Sequence, residues 1–105
     1  MTSSAAAQLL RALVERTGLA RDRISIGRLH SVEWRSLTFT GERHEIALLI
    51  NGPDSEAALG LLRNGLSEAI WSLQGHVVVD ILVVGEQLMN DGSIRVEIEA
   101  LTLCD

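Results

Sequence analysis

The chain has 105 residues, 47% of them hydrophobic, and a formal net charge of −5 at pH 7. This length fits one domain with its own core, and the acidic balance argues against a protein that wraps nucleic acid through a basic face. MTSSAAAQLL lacks the features of a signal peptide and the apolar runs are short, so we expect a soluble protein used inside the cell and not in a membrane. The single cysteine, Cys104, excludes an intramolecular disulfide.

The first predicted element is a helix from Ser3 to Thr17. Ser3 or Ser4 can cap its start, the following residues are rich in alanine and leucine, and the leucines recur on one face. Gly18 is expected to end this helix.

The segment Arg23 to Thr40 has β character with an irregular period. The apolar residues change parity near Arg35 or Ser36, which predicts a bulge or a bend, and a second irregularity is expected near Gly27. We place a hairpin turn at Thr40 to Arg43. The returning strand, His44 to Ile50, is apolar on both faces and is therefore expected in the middle of a sheet.

A long amphipathic helix is predicted from Asp54 to Gly75. Its apolar stripe consists of Leu59, Leu62, Leu66, Ile70 and Leu73. A strand from His76 to Val84 follows, and the strand-helix-strand order leaves it either beside the preceding strand or separated from it by another.

The Asp-Gly pair in the segment 90–93 predicts a second hairpin turn, and the final strand runs from Ile94 to Leu103. Ile94, Val96 and Ile98 are expected to face inward, with charged residues between them facing solvent. The resulting fold class is α+β, in the order helix, hairpin, helix, hairpin (αββαββ), with about four strands and the helices on one face of a single domain over residues 1–105.

No residue pattern predicts catalysis or a bound cofactor. His30, His44 and His76 lie in different predicted elements without the paired spacing of a metal site. Neither a nucleophile motif nor a phosphate-binding glycine loop is present. We therefore predict no catalytic, cofactor-binding or metal-binding residues.

Two tryptophans are candidates for contact with other subunits. Trp71 falls on the predicted helix, opposite the apolar stripe, and is expected to point away from the sheet. Trp34 lies in the irregular strand, where either core packing or an interface role is consistent with its type.

The order of these elements resembles a known family. The hairpin segment WRSLTFTGERHEIALLI, the helix SEAALGLLRNGLSEAI, and the DG turn before a strand ending EIEALTL together resemble the tail-terminator or tail-completion proteins of long-tailed phages and gene transfer agents. The resemblance covers residues 4–103 and rests on element order and character, without any catalytic signature.

The resemblance implies a homo-oligomeric ring, usually a hexamer, that caps the tail-tube protein and offers a surface to a head-completion or connector protein. DNA would pass through the ring without specific binding, and the location would be the phage or gene-transfer-agent particle, assembled in the bacterial cytoplasm. On this interpretation Trp71, Trp34, Arg35 and Arg43 are candidate interface residues.

Two other functions remain open on the sequence alone. One is a small oligomeric α+β binding or regulatory module, whose signature would be a two-fold dimer with a pocket. The other is a small enzyme that uses His44 with Glu42 or Glu45.

Overall fold

The computed structural model describes residues 2–104 as one α+β unit with two helices and a four-stranded antiparallel sheet. This confirms the predicted α+β class and the number of strands. In chain order the elements are α1 (Ser4–Thr17), β1 (Ile24–Arg35), β2 (Thr40–Ile50), α2 (Ser55–Arg63), β3 (His76–Leu88) and β4 (Ile94–Cys104), with 3-10 turns at Arg21–Arg23 and Leu66–Glu68. Within the described residues, no helix is both long and apolar enough to span a membrane.

Helix α1 forms as its sequence predicts. The Ser3 hydroxyl accepts a hydrogen bond from the amide of Ala6 at 3.1 Å, and so satisfies one of the amides left free in the first turn. Gly18 adopts a left-handed conformation with φ of 74° and closes the C-terminus.

The strands lie in the order β1-β2-β4-β3, and every neighbouring pair is antiparallel. Strand β4 therefore separates β3 from β2, which resolves the alternative that the sequence leaves open. Strands β1 and β3 are the two edges. Strand β3 is irregular at two places, between Val78 and Asp80 and between Val83 and Gly85.

The core lies between the two helices and one face of the sheet. Ile46, Leu48 and Ile50 of β2 lie directly opposite Ile98, Val96 and Ile94 of β4, and all six side chains are buried. Leu9 and Leu13 of α1 and Leu62 of α2 cover them in the same buried cluster. The inward alternation predicted for β4 is confirmed, since the intervening Glu97 and Glu99 are exposed.

The first hairpin turn lies at Ser36–Phe39, so the predicted turn at Thr40 to Arg43 is wrong. The amide of Ser36 donates to the carbonyl of Phe39 at 2.8 Å, and the Ser36 hydroxyl accepts from the amide of Phe39 at 3.0 Å. This side-chain bond fixes the four-residue loop, and the chain pairs again from Thr40 onward. The parity change near Ser36 is thus the turn itself. The irregularity expected near Gly27 is confirmed as a register shift between Ile26 and Arg28.

Helix α2 ends at Arg63, so the predicted helix to Gly75 is too long. Gly65 is left-handed, with φ of 70°, and breaks the helical path. Arg16 of α1 donates from its guanidinium to the carbonyls of Leu62 and Asn64, and thereby partners backbone groups that the helix end leaves free. Ile70, predicted to be buried, is 96% exposed.

Candidate interaction surface

The face of the sheet turned away from both helices is left uncovered, and we call it the open face. In the two central strands, alternate residues form this face. They start at Gly41 in β2 and at Arg95 in β4. A sheet face without a helix or second sheet on it is expected to be polar, because an antiparallel sheet can leave one face in water. One end of this face departs from that expectation.

A row of cross-strand partners at that end is almost entirely apolar. Trp34 of β1 lies opposite Gly41 of β2, Gly41 lies opposite Leu103 of β4, and Leu103 lies opposite Val77 of β3. We call these four residues the apolar row. Val77 is 48% exposed, and Trp34 and Leu103 are half-buried.

The neighbouring row continues the apolar character toward the middle of the sheet. Val32 lies opposite Arg43, Arg43 opposite Leu101, and Leu101 opposite Asp80. Val32 is about half exposed, and Leu101 is half-buried. Val32 and Leu101 therefore extend the apolar row on two of the four strands, with the charged Arg43 and Asp80 beside them, which makes the apolar residues a patch and not scattered single residues.

The other end of the open face is charged. Arg28 of β1 pairs with Glu45 of β2 at 3.1 Å, and Arg95 of β4 pairs with Glu97 of the same strand at 3.3 Å. Ala47 beneath these side chains is only 1% exposed. Such exposed pairs add little stability, so their effect here is to keep this end of the face solvated.

The structure brings together two of the four interface residues predicted from the sequence. Trp34 and Arg43 lie in adjacent rows of the open face. Arg35 lies on the opposite face, where its guanidinium pairs with Glu33 at 2.5 Å.

The position predicted for Trp71 is wrong. Trp71 lies after α2 in the segment 69–72, outside any helix, and packs half-buried against the core. Its indole nitrogen Nε1 is buried without a hydrogen-bond partner among residues 2–104. The prediction placed Trp71 on the outer face of a helix, but α2 ends at Arg63 and does not include Trp71.

His44 is the one histidine among the described residues that the sheet buries, with 1% of its surface exposed. Its Nδ1 is 2.7 Å from the hydroxyl of Ser31 on β1, and its Nε2 is 2.9 Å from the hydroxyl of Thr102 on β4. Burial lowers the pKa of His44, the nearby Glu42 raises it, and His76 lowers it. The buried imidazole is therefore favoured in its neutral form, with one ring nitrogen donating and the other accepting.

The surroundings of His44 bear on the enzyme hypothesis. Glu45 is the next residue on β2, so it lies on the open face and pairs there with Arg28. Both ring nitrogens of His44 already face hydroxyl groups, which leaves no carboxylate to orient the ring.

The buried position of His44 is predictable in principle, since His44 shares the parity of three buried residues of β2, Ile46, Leu48 and Ile50. Within the described residues, no group of three or more histidine, cysteine or acidic side chains could hold a metal ion.

A second concave feature lies between α1 and β1, and we call it the α1–β1 groove. Its volume is about 670 Å³. Its apolar lining consists of Ala7, Leu10, Val14, Leu19, Ile26 and Leu29. Arg11 and Glu15 of α1 also line it; both are exposed, and neither forms an ion pair with another described residue.

Comparison of the chain with protein-family models, with curated proteins and with solved structures finds no match.

Proposed function

We propose that this protein is a structural subunit that assembles with copies of itself into a ring of the tail-terminator type. The ring would cap the tube formed by a tail-tube protein and offer its other side to a head-completion or connector protein. DNA would pass through the hole, and the subunit itself would perform no chemistry.

The observation that carries this proposal is the apolar end of the open face. Trp34, Leu103 and Val77 lie in one row across all four strands, and no described helix covers them. Burial of apolar surface yields roughly 25 cal/mol per Å², so such a row favours association with another protein surface. Tryptophan is also among the residues enriched at the centres of interfaces.

The order of elements and the charge support the specific class. A helix, a hairpin, a second helix and a second hairpin, with the helices packed on one face, is the arrangement expected from the resemblance to tail terminators. The net charge of −5 would repel DNA phosphates, which suits a channel through which DNA must slide without being held. Arg43 beside the apolar row would supply a partner for a carboxylate of a neighbouring subunit.

A binding or regulatory module is the second candidate, and the α1–β1 groove favours it. Ligand pockets typically enclose about 300 to 1,000 Å³ and are lined mostly by apolar side chains. The groove satisfies both conditions. A two-fold dimer that binds a small apolar ligand in this groove would support the second candidate over the first.

The test of the proposed function is capping of a tail tube. The tail-tube protein encoded by a neighbouring gene would be assembled into tubes, with and without this chain, and the tubes imaged by negative-stain electron microscopy. The proposal predicts shorter tubes as the ratio of this chain to tube protein rises, with extra density at one tube end. Unchanged tube length and bare ends would contradict it.

A further inference from the structure

The turn that joins β1 to β2 presents two apolar side chains to solvent. Leu37 is fully exposed and Phe39 is 54% exposed. Turns favour glycine, proline, asparagine, aspartate and serine, so an exposed leucine in this loop has no local structural reason. We call the segment 36–39 the hairpin tip.

The hairpin tip and the α1–β1 groove lie at opposite ends of the same strand. Leu37 is eight positions after Leu29, the groove residue of β1 nearest to it in the chain, which corresponds to about 26 Å at about 3.3 Å per residue. The longest dimension of the molecule is 46 Å. The tip therefore cannot reach the groove of its own chain, whereas it can reach the groove of a second copy.

The charges beside the tip match those beside the groove. Glu33 and Arg35 precede the tip on one face of β1 and are exposed. Arg11 and Glu15 are four positions apart on α1, a rise of about 6 Å, while Glu33 and Arg35 are two positions apart on a strand, a rise of about 6.6 Å. An acid and a base with nearly equal spacing thus stand on each surface. Glu33 and Arg35 pair with each other in the single chain, and docking would exchange this exposed pair for the pairs Arg35–Glu15 and Glu33–Arg11.

We infer that the hairpin tip of one copy docks in the α1–β1 groove of the next copy. Leu37 and Phe39 would enter the apolar groove, and the two ion pairs would fix its orientation. A contact between different surfaces at opposite ends of a molecule is heterologous, and repetition of such a contact closes a ring when the rotation allows it. This inference rests on the proposed ring and names one contact between its subunits, at the end of the sheet that also carries the apolar row.

The first test is the mass of Leu37→Asp by light scattering over a concentration series, beside the wild type and Ile70→Asp. Ile70 is 96% exposed and lies outside the tip and the groove, so Ile70→Asp is a control matched in exposure and added charge. We expect Leu37→Asp to raise the dissociation constant of the oligomer by at least about tenfold, and Ile70→Asp to leave it within about twofold.

The second test exchanges the charges across the contact. Glu15→Arg and Arg35→Glu alone are each expected to weaken association, because each places like charges together. The double variant carries two basic groups on the groove, at positions 11 and 15, against two acidic groups beside the tip, at positions 33 and 35. Its association should return to near the wild-type level. Both substituted positions are exposed, so neither substitution threatens folding.

The outcomes separate the contact from the ring. A wild-type ring whose mass is unchanged by Leu37→Asp and by both charge variants would overturn the tip-in-groove contact while leaving the proposed function intact. A wild type that stays monomeric throughout the series would overturn the contact. A two-fold dimer sensitive to these variants would overturn the head-to-tail arrangement.

Discussion

Trp34 lies directly opposite Gly41 across the β1–β2 pair, on the face of the sheet that no described helix covers. Gly41 is nevertheless buried. A Cβ built on Gly41 would overlap the carbonyl oxygen of Thr102 and lie 2.9 Å from Cδ2 of Leu103. Close approach of β2 and β4 therefore requires glycine at this position, and the row around it is correspondingly tight.

Substitution of Gly41 by alanine is predicted to destabilise the subunit. The backbone carbonyl of Thr102 cannot move away without disturbing the β2–β4 ladder, so we expect a loss of about 2 kcal/mol in the free energy of unfolding. Gly60→Ala is the matched control, because a Cβ there meets nothing within 4 Å and Gly60 lies inside α2. That variant should gain about 0.5 to 1 kcal/mol. Urea unfolding of both proteins measures the difference, and equal stabilities would show that Gly41 has room for a side chain.

Trp34→Ala is predicted to weaken association more than it weakens the fold. Trp34 is half-buried within the subunit, so its loss should cost less than about 2 kcal/mol of unfolding free energy, while removal of a central interface tryptophan raises a dissociation constant by about tenfold or more. Leu88→Ala, at a 71% exposed position on the other face, serves as control. Light scattering over a concentration series measures association. Unchanged association in Trp34→Ala would remove Trp34 from the interface.

The stability of the protein is predicted to fall as the pH is lowered through the ordinary histidine pKa of 6.5. Burial lowers the pKa of folded His44, so between that lowered value and 6.5 the unfolded chain binds more protons than the folded one. The free energy of unfolding then rises with pH in this window and is fully retained above 6.5.

Urea unfolding at several pH values between about 5 and 8 tests this sign, with His44→Gln as the comparison. Glutamine can still donate and accept hydrogen bonds toward Ser31 and Thr102, but it does not titrate. The free energy of unfolding of the variant should therefore vary less with pH in this window than that of the wild type. An identical slope in both proteins would mean that His44 is not the source.

Two aspartates also make the free energy of unfolding depend on pH, at more acidic values than His44 does. Asp54 and Asp91 have lowered pKa values, chiefly through hydrogen bonds from Arg23 and Ser93 respectively. A lowered carboxyl pKa stabilises the fold above the pKa of the unfolded chain, and this stabilisation is lost as the pH falls through the folded pKa. Their contribution is therefore lost below the window in which His44 acts.

Trp71 is predicted to act in packing. Trp71→Phe keeps much of the aromatic contact with the core and removes a buried N–H that has no partner among residues 2–104, so the free energy of unfolding should stay level or rise by up to about 1 kcal/mol. Trp71→Ala should cost about 2 kcal/mol, because it removes a half-buried aromatic ring. Thermal or urea unfolding measures both. If Trp71→Ala keeps full stability and loses only association, Trp71 belongs to the interface after all.

The fold class can be predicted from the sequence because helices and strands are marked by the spacing of apolar residues and by capping residues, which are signals within a few neighbouring positions. The cap at Ser3, the glycine end at Gly18 and the alternation of β4 all follow from a few neighbouring residues, and all are found. The irregularity expected near Gly27 is also found, as a register shift between Ile26 and Arg28.

The errors have causes that lie far apart in the chain. Arg16 partners the end of α2 across a separation of 46 residues, and periodicity within the segment 54–75 does not reveal it. Gly41, which suggested a turn at Thr40 to Arg43, is instead needed for close packing against Thr102 of β4, a contact that its sequence neighbours do not reveal. The apolar row escapes a reading of the sequence for the same reason: its four members come from four strands, and only the pairing of those strands aligns them.

Light scattering of the purified protein over a concentration series, followed by negative-stain images of the largest species, shows whether the subunits assemble into a ring. We expect a closed oligomer that has a central hole wide enough for duplex DNA and that buries the apolar row between subunits. A protein that remains monomeric at every concentration, or that forms a compact two-fold dimer without a hole, would contradict it.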